Sequence, residues 1–141
     1  MKLIPIENRS DAIQILWDLL AQRDSSQNIS HKCMPTPDGH VAFVVNHPYL
    51  AWYLIDAAGI VGAIYLSLPS SPSVPGNEIG IDIFKQYQGK SFGTEAVKLL
   101  MEMHGPRRYI GNVSPSNEAS QALFKGLGFR LCQYTYELEV E

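Results

Sequence analysis

Cysteine is scarce: the chain of 141 residues holds two, Cys33 and Cys132, separated by 132 − 33 = 99 positions. There is no CxxC pair and no Cys/His cluster at zinc-ligand spacing, so neither a disulfide framework nor a metal site is expected. Cys33 stands two positions after His31, but side chains at that spacing diverge unless a turn folds them together, which argues against a thiol nucleophile. The four histidines, His31, His40, His47 and His104, fall in segments that read as polar loops or helix ends, where they are expected in solvent. An excess of positive charge is also missing. Eleven Lys and Arg against fourteen Asp and Glu give 11 − 14 = −3 and a pI near 5.8, which leaves no basic footprint for nucleic acid or an anionic membrane. No apolar run reaches the roughly 18 residues of a membrane span, and the opening MKLIPIENRSD turns polar too soon for a secretory segment. A soluble, cytoplasmic protein is the expectation. What is present is 45% apolar and 18% charged residues with a mean hydropathy of −0.07. That is a globular composition, of a length that closes one core, so residues 1–141 are read as one domain.

Residues 2–6 read as a short strand, and Ser10 is placed to cap a helix carrying Ile13, Leu16, Trp17 and Leu20 at helical spacing. Residues 24–48 stay open between helix and strand around Val41, Phe43, Val44 and Val45, with helix favoured over 39–46. Residues 49–56 (YLAWYLID) and 60–68 (IVGAIYLSL) are rich in β-branched and aromatic side chains and are joined by Ala57, Ala58 and Gly59, the pattern of a hairpin. A Pro/Ser-rich loop over 68–77 precedes residues 78–84 (EIGIDIF), which alternate as a strand with one buried face. The strongest helix covers 91–104, with Phe92, Ala96, Val97, Leu99, Leu100 and Met103 on one stripe and Gly105-Pro106 as its stop. A strand over 107–113, a helix over 117–127 and a long strand or hairpin over 129–140 complete the order β-α-(α)-β-β-β-α-β-α-β. Such an order implies an α/β (α+β mixed) fold: a mixed, mostly antiparallel central sheet with helices on both faces.

Chemistry concentrates in residues 81–94 (IDIFKQYQGKSFGT), where a strand ends, a polar turn follows and Gly89 and Gly93 flank the start of the best helix. Free backbone N–H groups at that helix start suit an anion such as a pyrophosphate, with Lys90 as added positive charge. A plain strand-to-helix connection explains the same glycines. Gly89-Lys90-Ser91 lacks the earlier glycine of a nucleotide-triphosphate loop. The second feature is residues 117–129 (NEASQALFKGLGF). Together with Gln88-Gly89-Lys90-Ser91-Phe92-Gly93, it resembles the GNAT superfamily of acetyl-CoA-dependent N-acetyltransferases over about residues 50–130.

The resemblance implies a cosubstrate, acetyl-CoA, and no metal. Backbone groups of Ile81, Asp82 and Ile83 would bond the pantetheine arm. Gln88, Gly89, Lys90, Ser91, Phe92, Gly93 and Thr94 would hold the pyrophosphate. Asn117 and Ser120 would lie near the acyl end, with Leu123 and Phe124 against the thioester. Two positions depart from the family pattern. Ser91 replaces the middle glycine of the turn, and Phe124 stands where many members carry a tyrosine that protonates the leaving thiolate. Tyr134, Tyr136 and Tyr109 are candidates for that acid by residue type, Tyr134 being carried forward. Glu78 is the candidate base, although an exposed loop-capping residue would look the same. Asp82 shares its strand parity, so both carboxylates face one side and raise each other's pKa if close. Asn112 could orient an amine. Residues 40–52 lie where the family builds its acceptor pocket, and Phe43, Tyr49, Trp52 and Tyr53 either stack on a sugar or fill the core.

The implied function is acetyl transfer from acetyl-CoA to a primary amine of a small molecule, an amino sugar among the candidates, by direct attack. A non-catalytic acyl-CoA-binding module, a transferase for protein N-terminal or side-chain amines, and an interaction domain without cofactor are the alternatives. The expected partners are a small-molecule amine, with no nucleic acid and no membrane. Either a monomer or a homodimer fits, since the strand over 129–140 offers an edge to a second chain.

Overall fold

The computed structural model describes residues 1–23, 34–73 and 75–141. His31, Cys33 and the start of the open segment therefore lie outside the described residues, as does any pairing of Cys33 with Cys132. Strand β1 (Lys2–Pro5) leads through a short 3-10 turn into helix α1 (Ala12–Ala21). Asp11, not Ser10, is the N-cap, and its side chain makes no cap bond. The reason is local: both Asp11 carboxylate oxygens accept from Arg9, at 2.9 and 2.7 Å.

Helix α2 (Pro37–Asn46) resolves the ambiguous segment as helix. Pro37 begins it with φ already suitable, and Thr36 Oγ1 accepts from the Gly39 N–H at 3.1 Å. Strands β2 (Ala51–Asp56) and β3 (Ile60–Leu66) form the expected hairpin. They are followed by β4 (Asn77–Ile83), helix α3 (Phe92–His104), β5 (Tyr109–Ile110) and helix α4 (Glu118–Gly126). The sheet runs β1-β2-β3-β4-β5, with its first three pairings antiparallel and β4–β5 parallel. This is the mixed, mostly antiparallel sheet that the element order implies.

Two departures stand at the carboxyl end. The strand expected over 107–113 is reduced to two residues, Tyr109 and Ile110, which alone pair with β4; at the next position Gly111 leaves the room that the ring of Phe124 takes. The strand expected over 129–140 is not formed. Residues 130–141 make no strand pairing, and all of them are exposed.

Strand alternation sorts the sheet's side chains onto two faces. Tyr53, Ile55, Ile64, Leu66 and Ile79 pack with Ala96, Val97 and Leu100 of α3 and Phe124 of α4. Trp52, Leu54 and Ala63 pack on the opposite face with Leu16 and Leu19 of α1 and Val44 of α2. Leu54, Ile55, Ile64, Leu66 and Leu100 are fully buried, each contributing about 1.5–3 kcal/mol of transfer free energy. The helices thus lie on both faces. Among the described residues, no helix is long and apolar enough to cross a membrane.

Candidate active site

The sheet is split at one place. β4 and β5 pair only at Asn77–Tyr109 and Glu78–Ile110, and beyond them β4 continues to Ile83 with no neighbouring strand on that side among the described residues. The Glu78 carbonyl accepts from Ser67 toward β3, whereas the Asn77 N–H donates to Arg108 toward β5. Alternation then turns the backbone groups of Gly80 and Asp82 toward β3 and those of Ile81 and Ile83 toward the gap. Ile81 and Ile83 are therefore placed as the sequence expectation needs. Asp82 instead points its backbone into the sheet. The Ile83 carbonyl is already occupied, accepting from the side-chain amides of Gln22 and Gln88, both at 3.0 Å.

A cavity of about 370 Å³ passes through this split. On the α3/α4 side its wall includes Ile81, Asn112, Ser114, Asn117, Ser120 and Phe124; on the α1/α2 side it includes Arg23, His40, Phe43, Tyr49, Trp52, Tyr65, Glu78, Gly80 and Asp82. Glu78, Asp82, Asn112, Asn117, Ser120 and Phe124, proposed from the sequence, are thus brought to one cavity. Asn117 Oδ1 caps α4 by accepting from the Ser120 N–H at 3.1 Å, which leaves its side-chain NH2 as a donor.

Gln88, Gly89, Lys90, Ser91, Phe92, Gly93 and Thr94 do not line this cavity; they form the turn before α3 and its first helical residues. Ser91 is the N-cap at φ 68, and its side chain makes no cap bond. The amides of Phe92, Gly93 and Thr94 consequently have neither an intrahelical acceptor nor a side-chain cap. Gly89, at φ 76, has open space where a Cβ would stand, whereas a Cβ on Gly93 would sit 2.8 Å from Leu123 Cδ1. Gly93 is therefore a packing glycine between α3 and α4 as well as one of the uncapped amides at the start of α3.

Tyr65 is the main residue that the sequence reading passed over. It pairs with Gly80 across β3 and β4, and a Cβ on Gly80 would fall within its ring. The missing side chain of Gly80 lets Tyr65 lie flat over β4, where it stacks on Tyr49 at 3.8 Å between ring centroids. Its hydroxyl stands 3.5 Å from Glu78 Oε1, which is long for a hydrogen bond. Burial raises the Tyr65 phenol well above its usual range, with the Glu78 charge as the second cause. The Tyr49 phenol is raised mainly by burial. Burial also lifts the Asp82 carboxyl from 3.8 to about 6, against the opposing pull of Arg23, whose guanidinium lies 3.8 Å away.

The histidines depart from expectation. His40 is buried at the cavity wall, edge-on to Trp17, with Nε2 2.9 Å from the Ile13 carbonyl. A carbonyl only accepts, so Nε2 carries the hydrogen. His104 meets the Tyr53 hydroxyl at 2.9 Å, and its pKa is lowered by burial and by Arg107. His47 pairs with Glu7 at 2.9 Å. Phe43, Tyr49 and Trp52 line the cavity, whereas Tyr53 lies on the opposite face of the sheet. Tyr134 is not among the cavity residues and is 73% exposed. Among the described residues there is no cluster of His, Cys, Asp and Glu able to hold a metal ion.

The fold is similar to that of several solved N-acetyltransferases. The aminoglycoside 6′-N-acetyltransferase AAC(6′)-IG from Acinetobacter haemolyticus is similar with a TM-score of 0.69 and 11% identity, over 100% of this chain and 99% of that one. A spermidine N-acetyltransferase chimera from Vibrio cholerae gives a TM-score of 0.69 and 12% identity, over 92% and 82% of the two chains. AAC(6′)-Iy in complex with a bisubstrate analogue of CoA gives 0.66 and 20%, over 94% and 93%. No curated protein matches the chain in sequence. The family model described as an acetyltransferase (GNAT) domain matches residues 2–130, and the chain belongs to that family.

Proposed function

We propose that the protein is an N-acetyltransferase that moves an acetyl group from acetyl-CoA to a primary amine of a small molecule. The observation that carries this reading is the cavity through the β4–β5 split, which joins unpaired β4 backbone on one side to an aromatic chamber with two carboxylates on the other. The residues present fit the cosubstrate. The outward backbone groups of Ile81 and the Ile83 N–H can bond an extended amide-bearing arm as a strand would. The uncapped amides of Phe92, Gly93 and Thr94, with Lys90 beside them, suit its diphosphate. Asn117, Ser120 and Phe124 border its acyl end.

Bound acetyl-CoA supplies an acyl group already activated as a thioester. The chain's task is then to deliver a neutral amine to it. Tyr49, Tyr65, Trp52 and Phe43 wall a chamber for the amine's ring or apolar body. Glu78 and Asp82, on one face of β4, draw in the cationic amine, and Asp82, raised to about 6 by burial, is well matched to take up its proton at neutral pH. Phe124 cannot protonate a departing thiolate, which leaves as the anion or takes its proton from water or from another residue.

The test is calorimetric titration with acetyl-CoA, followed by a free-thiol assay over amines that include aminoglycosides, spermidine, aralkylamines and amino-terminal peptides. Saturable binding with thiol release for a small amine is expected, together with weaker binding to Lys90→Glu. Binding without release for any amine would instead establish a non-catalytic CoA-binding module. Absence of binding would overturn the assignment at its cosubstrate.

A further inference from the structure

We propose that the amine acceptor is a monoamine with an aromatic body and a hydroxyl at the end remote from the amine, and that His40 is the residue that selects the hydroxyl. The proposal rests on the transferase reading above and narrows it to one substrate class. It starts from an unmatched polar atom. His40 is 3% exposed and belongs to the cavity wall. Its Nε2 donates to the Ile13 carbonyl at 2.9 Å, and among the described residues nothing is hydrogen-bonded to Nδ1. The ring of Trp17, edge-on at 5.3 Å between centroids, packs against the imidazole. In the neutral imidazole with its hydrogen on Nε2, Nδ1 is an acceptor. A buried acceptor without a donor costs free energy that a bound hydroxyl recovers.

The surroundings of His40 narrow what can bring that hydroxyl. Leu16, Leu19 and Leu20 of α1 share the wall with Phe43, Tyr49 and Trp52. The three rings meet one another edge-on at 4.8 to 5.9 Å between centroids, which makes a rigid apolar surface suited to a flat ring. Negative charge is sparse. Among the described residues two carboxylates line the cavity, Glu78 and Asp82, and Asp82 faces the Arg23 guanidinium at 3.8 Å. One ammonium is therefore matched, whereas a second would leave water for a neutral imidazole, which costs more than it returns. The cavity, about 370 Å³ and shared with the acyl end of the cosubstrate, is near the lower end of the size of ligand sites. Polyamines and amino sugars of several rings are disfavoured on both counts. A single ring with one amine and one hydroxyl meets every feature: the amine at the β4 carboxylates, the ring along the aromatic wall, the hydroxyl donating to His40 Nδ1.

The test compares tyramine, and its homologues one carbon shorter and one carbon longer, with the same three amines lacking the hydroxyl, and with spermidine and an aminoglycoside. Each is assayed for kcat/KM with acetyl-CoA and titrated by calorimetry into protein saturated with CoA, so that binding is read even without turnover. At least one hydroxylated amine should exceed its partner roughly tenfold in both quantities, because the partner leaves Nδ1 unmet, and should exceed spermidine and the aminoglycoside. In His40→Phe that ratio should fall to near one, and in His40→Gln, whose carboxamide can accept, part of it should remain. Each ratio compares two ligands on one protein, so a loss of folded material cancels. Ratios near one in the wild type, a preference that survives His40→Phe, better turnover of spermidine or the aminoglycoside, or no binding of any aromatic amine would overturn the proposal; thiol release with some other amine would leave the transferase reading standing. Hydroxyl-selective, His40-dependent binding without thiol release would do the reverse, upholding the subsite and removing acetyl transfer.

Discussion

Asp82 carries the clearest single-residue consequence. Its carboxyl is raised to about 6 in the folded protein by burial, against 3.8 when exposed, so the folded state binds this proton more tightly than the unfolded one. The stability it contributes is complete below about pH 4 and is lost as pH rises through 6. A separation of about two pH units corresponds to roughly 3 kcal/mol. Asp82→Asn removes this dependence, and urea unfolding at pH 4 and pH 7.5 should show the variant gaining on the wild type by about that amount. In turnover the same group acts in the other direction. The wild-type kcat/KM should rise through about pH 6 as the carboxylate forms, and the rise should vanish in Asp82→Asn; an unchanged pH profile would remove Asp82 from the proton's path. Phe124 yields a second expectation. Its ring tip lies against Gly111, with Cζ 2.6 Å from where a Gly111 Cβ would stand. The hydroxyl of Phe124→Tyr would therefore press on the backbone at Gly111, just past the end of β5, instead of facing the thioester. A loss of roughly 1–3 kcal/mol in stability, with no gain in rate, is expected. A faster enzyme would show that the ring can turn its tip into the cavity.

At the scale of elements, helix α3 begins under strain. Ser91 occupies the left-handed region at φ 68 without capping the helix in return, a conformation that disfavours any residue with a Cβ by roughly 1–2 kcal/mol. Ser91→Gly gains that back less the greater chain entropy of glycine, a net of roughly 0.5–1 kcal/mol. It should raise the urea midpoint without changing the slope, and an equal or lower midpoint would mean that the serine hydroxyl has a compensating role. The elements themselves were largely legible, because helices and strands write their periods locally: α3 from its stripe, β4 from EIGIDIF, and the shared side of Glu78 and Asp82 from parity alone. What was not legible depends on contacts between distant segments. Tyr65 gains its place only through its register with Gly80, 80 − 65 = 15 positions of loop and strand away in cross-strand contact. His40 is buried because Trp17 and the Ile13 carbonyl come to it from α1. The alternation of residues 129–140 predicts a strand that is not formed, because alternation is a local signal whereas a strand also needs an edge to pair with.

For the whole molecule, the split sheet means that β1–β4 with α1 and α2 meet β5 with α4 through only two strand pairs and the core against α3. A ligand bonded to Ile81 and Ile83 and to the start of α3 would span that seam. Binding to the folded state alone adds stability by mass action, about 2.7 kcal/mol at a hundredfold excess over Kd. For a chain of 141 residues this is a rise in Tm of roughly 5–10 °C. CoA at that excess should produce such a rise, and Lys90→Glu at the same CoA concentration should reduce it. The location of the effect is the sharper test. The Ile81 and Ile83 amides, turned into the gap, and the Phe92, Gly93 and Thr94 amides should exchange rapidly in the free protein and slow together when CoA is bound. A Tm that rises while these five amides go on exchanging as before would place CoA elsewhere on the molecule, and the split would then be a feature of the fold without a part in cofactor binding.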